Sequence, residues 1–212
     1  MMKCWNFIEK LALELLKNKT LIEQLVHWSK SSDYAGVTGE SLRLMAWLIK
    51  HAYLSKIAYA LPRKGDAPAE QLADKIPQLE YDRSSLNDFI SNDSTIEAMV
   101  NMLTSQHLVM QNEALIALCI LCVVYLSPSS TNQQSDEHAQ QIQDAFIKYE
   151  VGKKLAELIN KSSDSMTKEI VENLENFTNL LRTSDKLVTH LEQHNISELL
   201  KSIPILTEYC TI

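Results

Sequence analysis

Glycine and proline are what this sequence has least of: 4 Gly and 5 Pro in 212 residues. Sandwiches and barrels spend both residues on their many turns, so the scarcity excludes most all-β architectures and favours helices. The four cysteines build no framework. Cys119 and Cys122 form a C-x2-C, but both lie inside the apolar run ALIALCILCVVYL, with no second pair to complete a zinc site. They read as buried thiols in a reducing cytosol.

Basic charge is also short. Lys and Arg number 20 against 27 Asp and Glu, a net charge of −7. Nucleic acid wants clustered Lys and Arg, so it is not an expected partner; a protein with a basic patch is. The start, MMKCWNFIEK, lacks a basic segment followed by an apolar one, so no secretory leader is expected. The N-x-S/T matches at Asn18, Asn92, Asn160, Asn176 and Asn195 are then chance. The longest apolar run, Ala114 to Leu126, is too short for a bilayer and reads as a buried helix, so direct membrane insertion is not expected.

Signatures of catalysis are missing too. The chain has no glycine-rich phosphate loop, no G-x-S-x-G and no H-E-x-x-H. His190 and His194 stand four apart on one helix face, which would suit a zinc clip only if a third ligand came near. Acidic residues are plentiful but scattered, and no pair is marked by spacing as general acid and base. Neither a metal nor a cofactor is expected, and the chain reads as a binder rather than an enzyme.

What is present is helical periodicity almost throughout. Trp5, Ile8, Leu11, Leu15 and Leu16 recur at helical spacing, as do Leu21, Ile22, Leu25 and Trp28. Further helices are expected over Thr38 to His51 with Thr38 as N-cap, Thr95 to Leu103, Leu108 to Leu126 and Asp136 to Lys148. Gly152 marks a break, followed by Leu155 to Ile159, Met166 to Leu181, Lys186 to Gln193 and Ile196 to Ser202. Residues 61–93 carry Pro62, Gly65, Pro68, Pro77 and many charges; they read as a mobile insertion with one weak helix near Glu70 to Ile76. SPSSTNQQS, from Ser127, is a shorter polar loop. Helical pattern resumes after both, so 1–212 reads as a single domain.

Three long helices share one template. GESLRLMAWL from Gly39, NEALIALCIL from Asn112 and KEIVENLENF from Lys168 each open on a polar residue followed by Glu, at Glu40, Glu113 and Glu169. Apolar residues then match at Leu42, Leu115 and Val171, and at Met45, Leu118 and Leu174. Their spacings exceed an armadillo unit of about 40–47 residues by amounts that fit the two polar stretches. The pattern predicts an all-α, armadillo-type solenoid of about three units with a C-terminal helical cap, each unit burying its apolar face on the next.

Two segments also resemble a known family. GVTGESLRLMAWLIKH, from Gly36, and EAMVNMLTSQHLVMQNEALIAL, from Glu97, are similar to the C-terminal armadillo repeats of the small-GTPase GDP dissociation stimulators, with MQNEALIAL the most specific part. The resemblance extends over Gly36 to Leu126 and weakens after Gln134; the 61–93 insertion departs from it. It implies the final third of a longer, cytosolic protein that binds Rho-, Ras- and Rap-type GTPases bearing basic, prenylated tails. Such a protein promotes GDP release or chaperones the GTPase, with no covalent chemistry.

In an armadillo unit the third helix lines the groove, with a stripe at i, i+4, i+8. Here the stripe reads Gly39, Arg43 and Trp47; Asn112, Ile116 and Ile120; Lys168, Glu172 and Asn176. The partner-binding candidates are therefore Arg43, Trp47, Asn112, Ile116, Lys168, Glu172 and Asn176. The same residues have plainer uses. Trp47, Ile116 and Ile120 suit packing against the next repeat, Arg43 suits pairing with Glu40, and Asn112 and Glu113 suit the first turn of a helix dipole. A plain scaffold, or an inert end-cap for repeats that bind elsewhere, stands as the alternative to a GTPase regulator.

Overall fold

The computed structural model describes residues 2–31, 34–57, 84–126 and 137–203. Among them are eleven helices and no strand. The weak helix near Glu70 to Ile76 and the SPSSTNQQS loop lie outside the described residues.

The helices fall into threes. The first unit is α1 (Met2–Leu16), α2 (Lys19–Ser31) and α3 (Ala35–Ile57). The second is α4 (Ser84–Ile90), α5 (Asp93–Met102) and α6 (Leu108–Leu126), and the third is α7 (Glu137–Lys148), α8 (Val151–Ser162) and α9 (Lys168–Leu181). The pair α10 (Asp185–Glu192) and α11 (Ile196–Lys201) follows. Like positions pack on like: α1, α4, α7 and α10 form one row, α2, α5, α8 and α11 a second, and α3, α6 and α9 a third. This is the expected helical-repeat stack, and α10 and α11 sit where the first two helices of another unit would stand.

Local chemistry sets the turns between helices. The Leu21 amide donates to Asn18 Oδ1, the Ser94 amide to Asn92 Oδ1 and the Ile170 amide to Thr167 Oγ1, so α2, α5 and α9 each begin on a side-chain cap. Asp93 and Glu169 in the first turns complement the helix dipoles. Buried Thr95 donates to the Phe89 and Asn92 carbonyls, which fastens the end of α4 to the start of α5.

Several boundaries differ from those the sequence predicts. The third helix starts at Ala35, so Thr38 is not its N-cap; the Thr38 hydroxyl donates instead to the Trp28 carbonyl. Asn112 and Glu113 lie past the first turn of α6, which opens at Leu108. The end of the 61–93 stretch is not loop: α4 lies there, with Leu86, Phe89 and Ile90 buried at helical spacing. Gly152 breaks nothing. It sits buried in the first turn of α8, and the chain turns instead at Glu150, whose φ is 55°.

The core runs continuously through the stack, and α6 is its axis. Thirteen of its residues, from Met110 to Tyr125, are buried between α3 and α9. This helix is long and apolar enough to cross a membrane, with a mean hydropathy of 2.0, once Leu108 to Glu113 are counted with the run. Its neighbours cover 72% of it, which accounts for the apolar composition as core. Large exposed apolar side chains gather at the opposite end from α10 and α11: Phe7, Leu11, Trp28, Tyr34, Val37 and Leu44 all belong to the first unit.

Candidate partner-binding surface

The third helices lie side by side, so their first halves form one surface across the stack. Polar side chains at matching positions meet there. On α3, Arg43 Nη1 donates to Glu40 Oε1 at 2.9 Å, and its Nε lies 4.0 Å from Glu113 Oε2 on α6. That Nε is buried and has no hydrogen bond. On α6, Asn112 Nδ2 donates to Glu169 Oε1 of α9 at 3.0 Å, while Asn112 Oδ1 accepts from Asn173 Nδ2 at 2.8 Å. On α9, Lys168 Nζ stands 3.7 Å from Glu172 Oε1. The result is a ladder, Glu40–Arg43–Glu113 and then Glu169–Asn112–Asn173, tying each third helix to the next.

The ladder keeps its acidic surplus. Glu40, Glu113, Glu169 and Glu172 outnumber Arg43 and Lys168, and all remain at least partly exposed. The second amide of the ladder, Asn173, was not on the i, i+4, i+8 stripe; it stands one residue beyond Glu172, and only the packing of α9 on α6 brings it to Asn112.

The apolar members of the stripe behave differently. Trp47 is half-buried, packs on the core and stacks on His51, ring centroids 4.4 Å apart. Burial and the neighbouring Lys50 hold the His51 pKa below its ordinary value. Ile116 is half-buried against the core. Ile120 is fully buried and forms no part of the surface. Asn176 is half-exposed at the far end of the α9 stripe.

The other chemical candidates resolve simply. Cys119 and Cys122 are free and buried, and burial pushes both thiols well above their ordinary pKa. Among the described residues no three His, Cys, Asp or Glu side chains converge as a metal site, and this includes His190 and His194. Their rings stack edge to face, centroids 5.3 Å apart, over the start of α8.

No family's sequence pattern matches the chain, and no solved structure does. Individual proteins do. The chain is 80% identical over 205 residues, 96% of its length, to the GTPase-GDP dissociation stimulator vimar of Drosophila melanogaster, and spans 32% of that protein. It is 31% and 30% identical over 124 residues to the Rap1 GTPase-GDP dissociation stimulators 1-B and 1-A of Xenopus laevis, spanning 16% of each. Over nearly its whole length this helical-repeat chain is thus similar to one third of a GTPase-GDP dissociation stimulator, the resemblance that GESLRLMAWL and MQNEALIAL carry in its sequence.

Proposed function

We propose that the chain binds small GTPases of the Rho, Ras and Rap type through the third-helix surface and promotes release of their GDP, acting in the cytosol. The acid-rich ladder across α3, α6 and α9 is the observation that carries this reading, and the names of the similar proteins supply the class of partner. A basic tail, prenylated or not, would find Glu40, Glu113, Glu169 and Glu172 in excess over Arg43 and Lys168. Nucleic acid and a bilayer core would meet unfavourable charge and an already filled apolar interior.

No bond is made or broken by such a factor. A GTPase whose nucleotide-free conformation binds the surface more tightly than its GDP-bound one releases GDP faster, and the shift can be no larger than that difference in affinity. The net charge of −7 would chiefly speed encounter with a basic partner, so the effect would weaken with salt.

A second reading, a scaffold that holds partners without changing their nucleotide, is favoured by one observation: Arg43, Asn112 and Lys168 already have partners within the stack. Release of a fluorescent GDP analogue from Rap1 and from a Rho-type GTPase separates the two. Acceleration that falls with salt and with Glu172→Ala or Asn176→Ala supports exchange on this surface. A stable complex without acceleration supports the scaffold, and no complex rejects both.

A further inference from the structure

The C-terminal helix pair docks on the third unit through an unusual contact. Gly152, at the start of α8, donates its backbone N–H to His190 Nε2 of α10 at 3.2 Å. Glu150 precedes that helix in a left-handed conformation and gives it no side-chain cap. The imidazole therefore satisfies one of the first-turn amides that a helix leaves unpaired. For Nε2 to accept, the ring must be neutral and carry its proton on Nδ1. His194 closes over the same spot: a methyl group built on Gly152 would stand 2.7 Å from His194 Cδ2 and 3.2 Å from the His190 carbonyl oxygen. The glycine is what lets the two rings sit directly on the backbone.

We propose that His190 is an acid-sensitive latch: as a neutral acceptor on the Gly152 amide it holds α10 and α11 on the stack, and protonation loosens that pair. A protonated ring has only donors, so Nε2–H would face N–H at the positive end of the α8 dipole. The titratable and charged groups on the elements packed around it are Glu150 beside α8 with Lys153, Lys154, Glu157 and Lys161 on it, Glu137, His138, Asp144 and Lys148 on α7, and Glu198 and Lys201 on α11. On its own helix stand Asp185, Lys186 and Glu192. Lys153 pairs with Glu150, Lys161 with Glu157, Lys186 with Asp144, Lys148 with Asp93 and Lys201 with Glu198, so Glu150, the carboxylate that acts on His190, is already shared with Lys153.

Burial first, and then the neighbouring His194, hold the His190 pKa below its ordinary value, while Glu150 opposes them. The sign follows. A histidine whose folded pKa lies below its unfolded one contributes stability in full above the ordinary imidazole value of about 6.5. That stability is lost as pH falls through the lowered folded value, because the unfolded chain then binds the extra proton. What remains holding the pair is the buried apolar set Leu187, Leu191, Ile196 and Ile203, the exposed Lys186–Asp144 ion pair to α7 and the Arg182–Ser197 hydrogen bond that joins it to the end of α9. Acid should thus loosen α10 and α11 while the core helices stay closed.

Amide hydrogen exchange on the full chain, corrected for the intrinsic pH dependence of exchange, tests this at pH 7.5 and 5.5. The expected result is a loss of protection confined to α10, α11 and the first turn of α8, with α6 unchanged. In His190→Gln, which keeps an acceptor that does not titrate, protection should no longer depend on pH. Uniform protection in the native chain, or the same loss in His190→Gln, overturns the latch. Ring-nitrogen NMR of the native protein at neutral pH gives a check that needs no variant: the proton should reside on Nδ1 of His190, and finding it on Nε2 overturns the proposal as well.

Discussion

Replacing Gly152 by alanine tests the packing of the C-terminal pair. In most helices Gly→Ala stabilises by about 0.5–1 kcal/mol, because alanine has less backbone freedom to lose. Here the new methyl has no room. Its closest neighbour, His194 Cδ2 at 2.7 Å, is part of a ring that can turn only by leaving its edge-to-face contact with His190. The next, the His190 carbonyl oxygen at 3.2 Å, is backbone and must move with α10. Inserting a methylene into a filled site costs about 1–3 kcal/mol. Set against the helix gain, the net loss is about 0–2.5 kcal/mol, centred a little above 1. For a chain of this size each kcal/mol moves the melting midpoint by about 2–4 °C, so thermal or urea unfolding resolves it. A double-mutant cycle sharpens the test: in a His194→Ala background the closest clash is gone, and Gly152→Ala should cost less than it does alone. If Gly152→Ala raises stability, or costs the same in both backgrounds, the crowding argument is wrong.

Asn112→Ala removes both hydrogen bonds that join α6 to α9 at the ladder; at about 0.5–1.5 kcal/mol each, partly exposed as they are, urea unfolding should show a loss of about 1–2 kcal/mol. Cys119 and Cys122 should resist alkylation in the folded chain and react only with unfolding, as mass spectrometry of labelled peptides would show; fast labelling under native conditions would mean that α6 is not buried. Phe7→Ser together with Leu11→Ser should reduce concentration-dependent self-association in sedimentation velocity, since exposed apolar groups gather on the first unit.

The sequence made α6 legible at both ends, because an apolar run closed by Ser127 and Pro128 admits no other boundary. It hid α4, since SSLNDFI is only seven residues long and borders a proline- and charge-rich stretch; the signal was there in Leu86, Phe89 and Ile90, spaced three and one apart. Gly152 was misread because glycine serves two ends, freedom of φ and absence of bulk, and only the folded chain tells which. On the candidate surface, Arg43–Glu40 followed from spacing on one helix. Asn112–Asn173 and Arg43–Glu113 did not, because they depend on how neighbouring helices register. Ile120 failed as a surface residue for a geometric reason: eight residues overshoot two turns of 3.6 by about 80°, enough to carry it from the edge into the core.

The position of α6, with Ala117 to Tyr125 buried and α3 and α9 packed on either side, also bears on how the molecule comes apart. A helix at the edge of a stack can be peeled away and leave its neighbours standing; one wedged between two others cannot. Losing α6 would bare α3 and α9 together, so the middle unit has no partly melted form of moderate cost, and fraying must start at an end. Under tension or dilute denaturant the chain should shed α10 and α11 first and then yield in a single step, behaving more like a keystone arch than a string of beads.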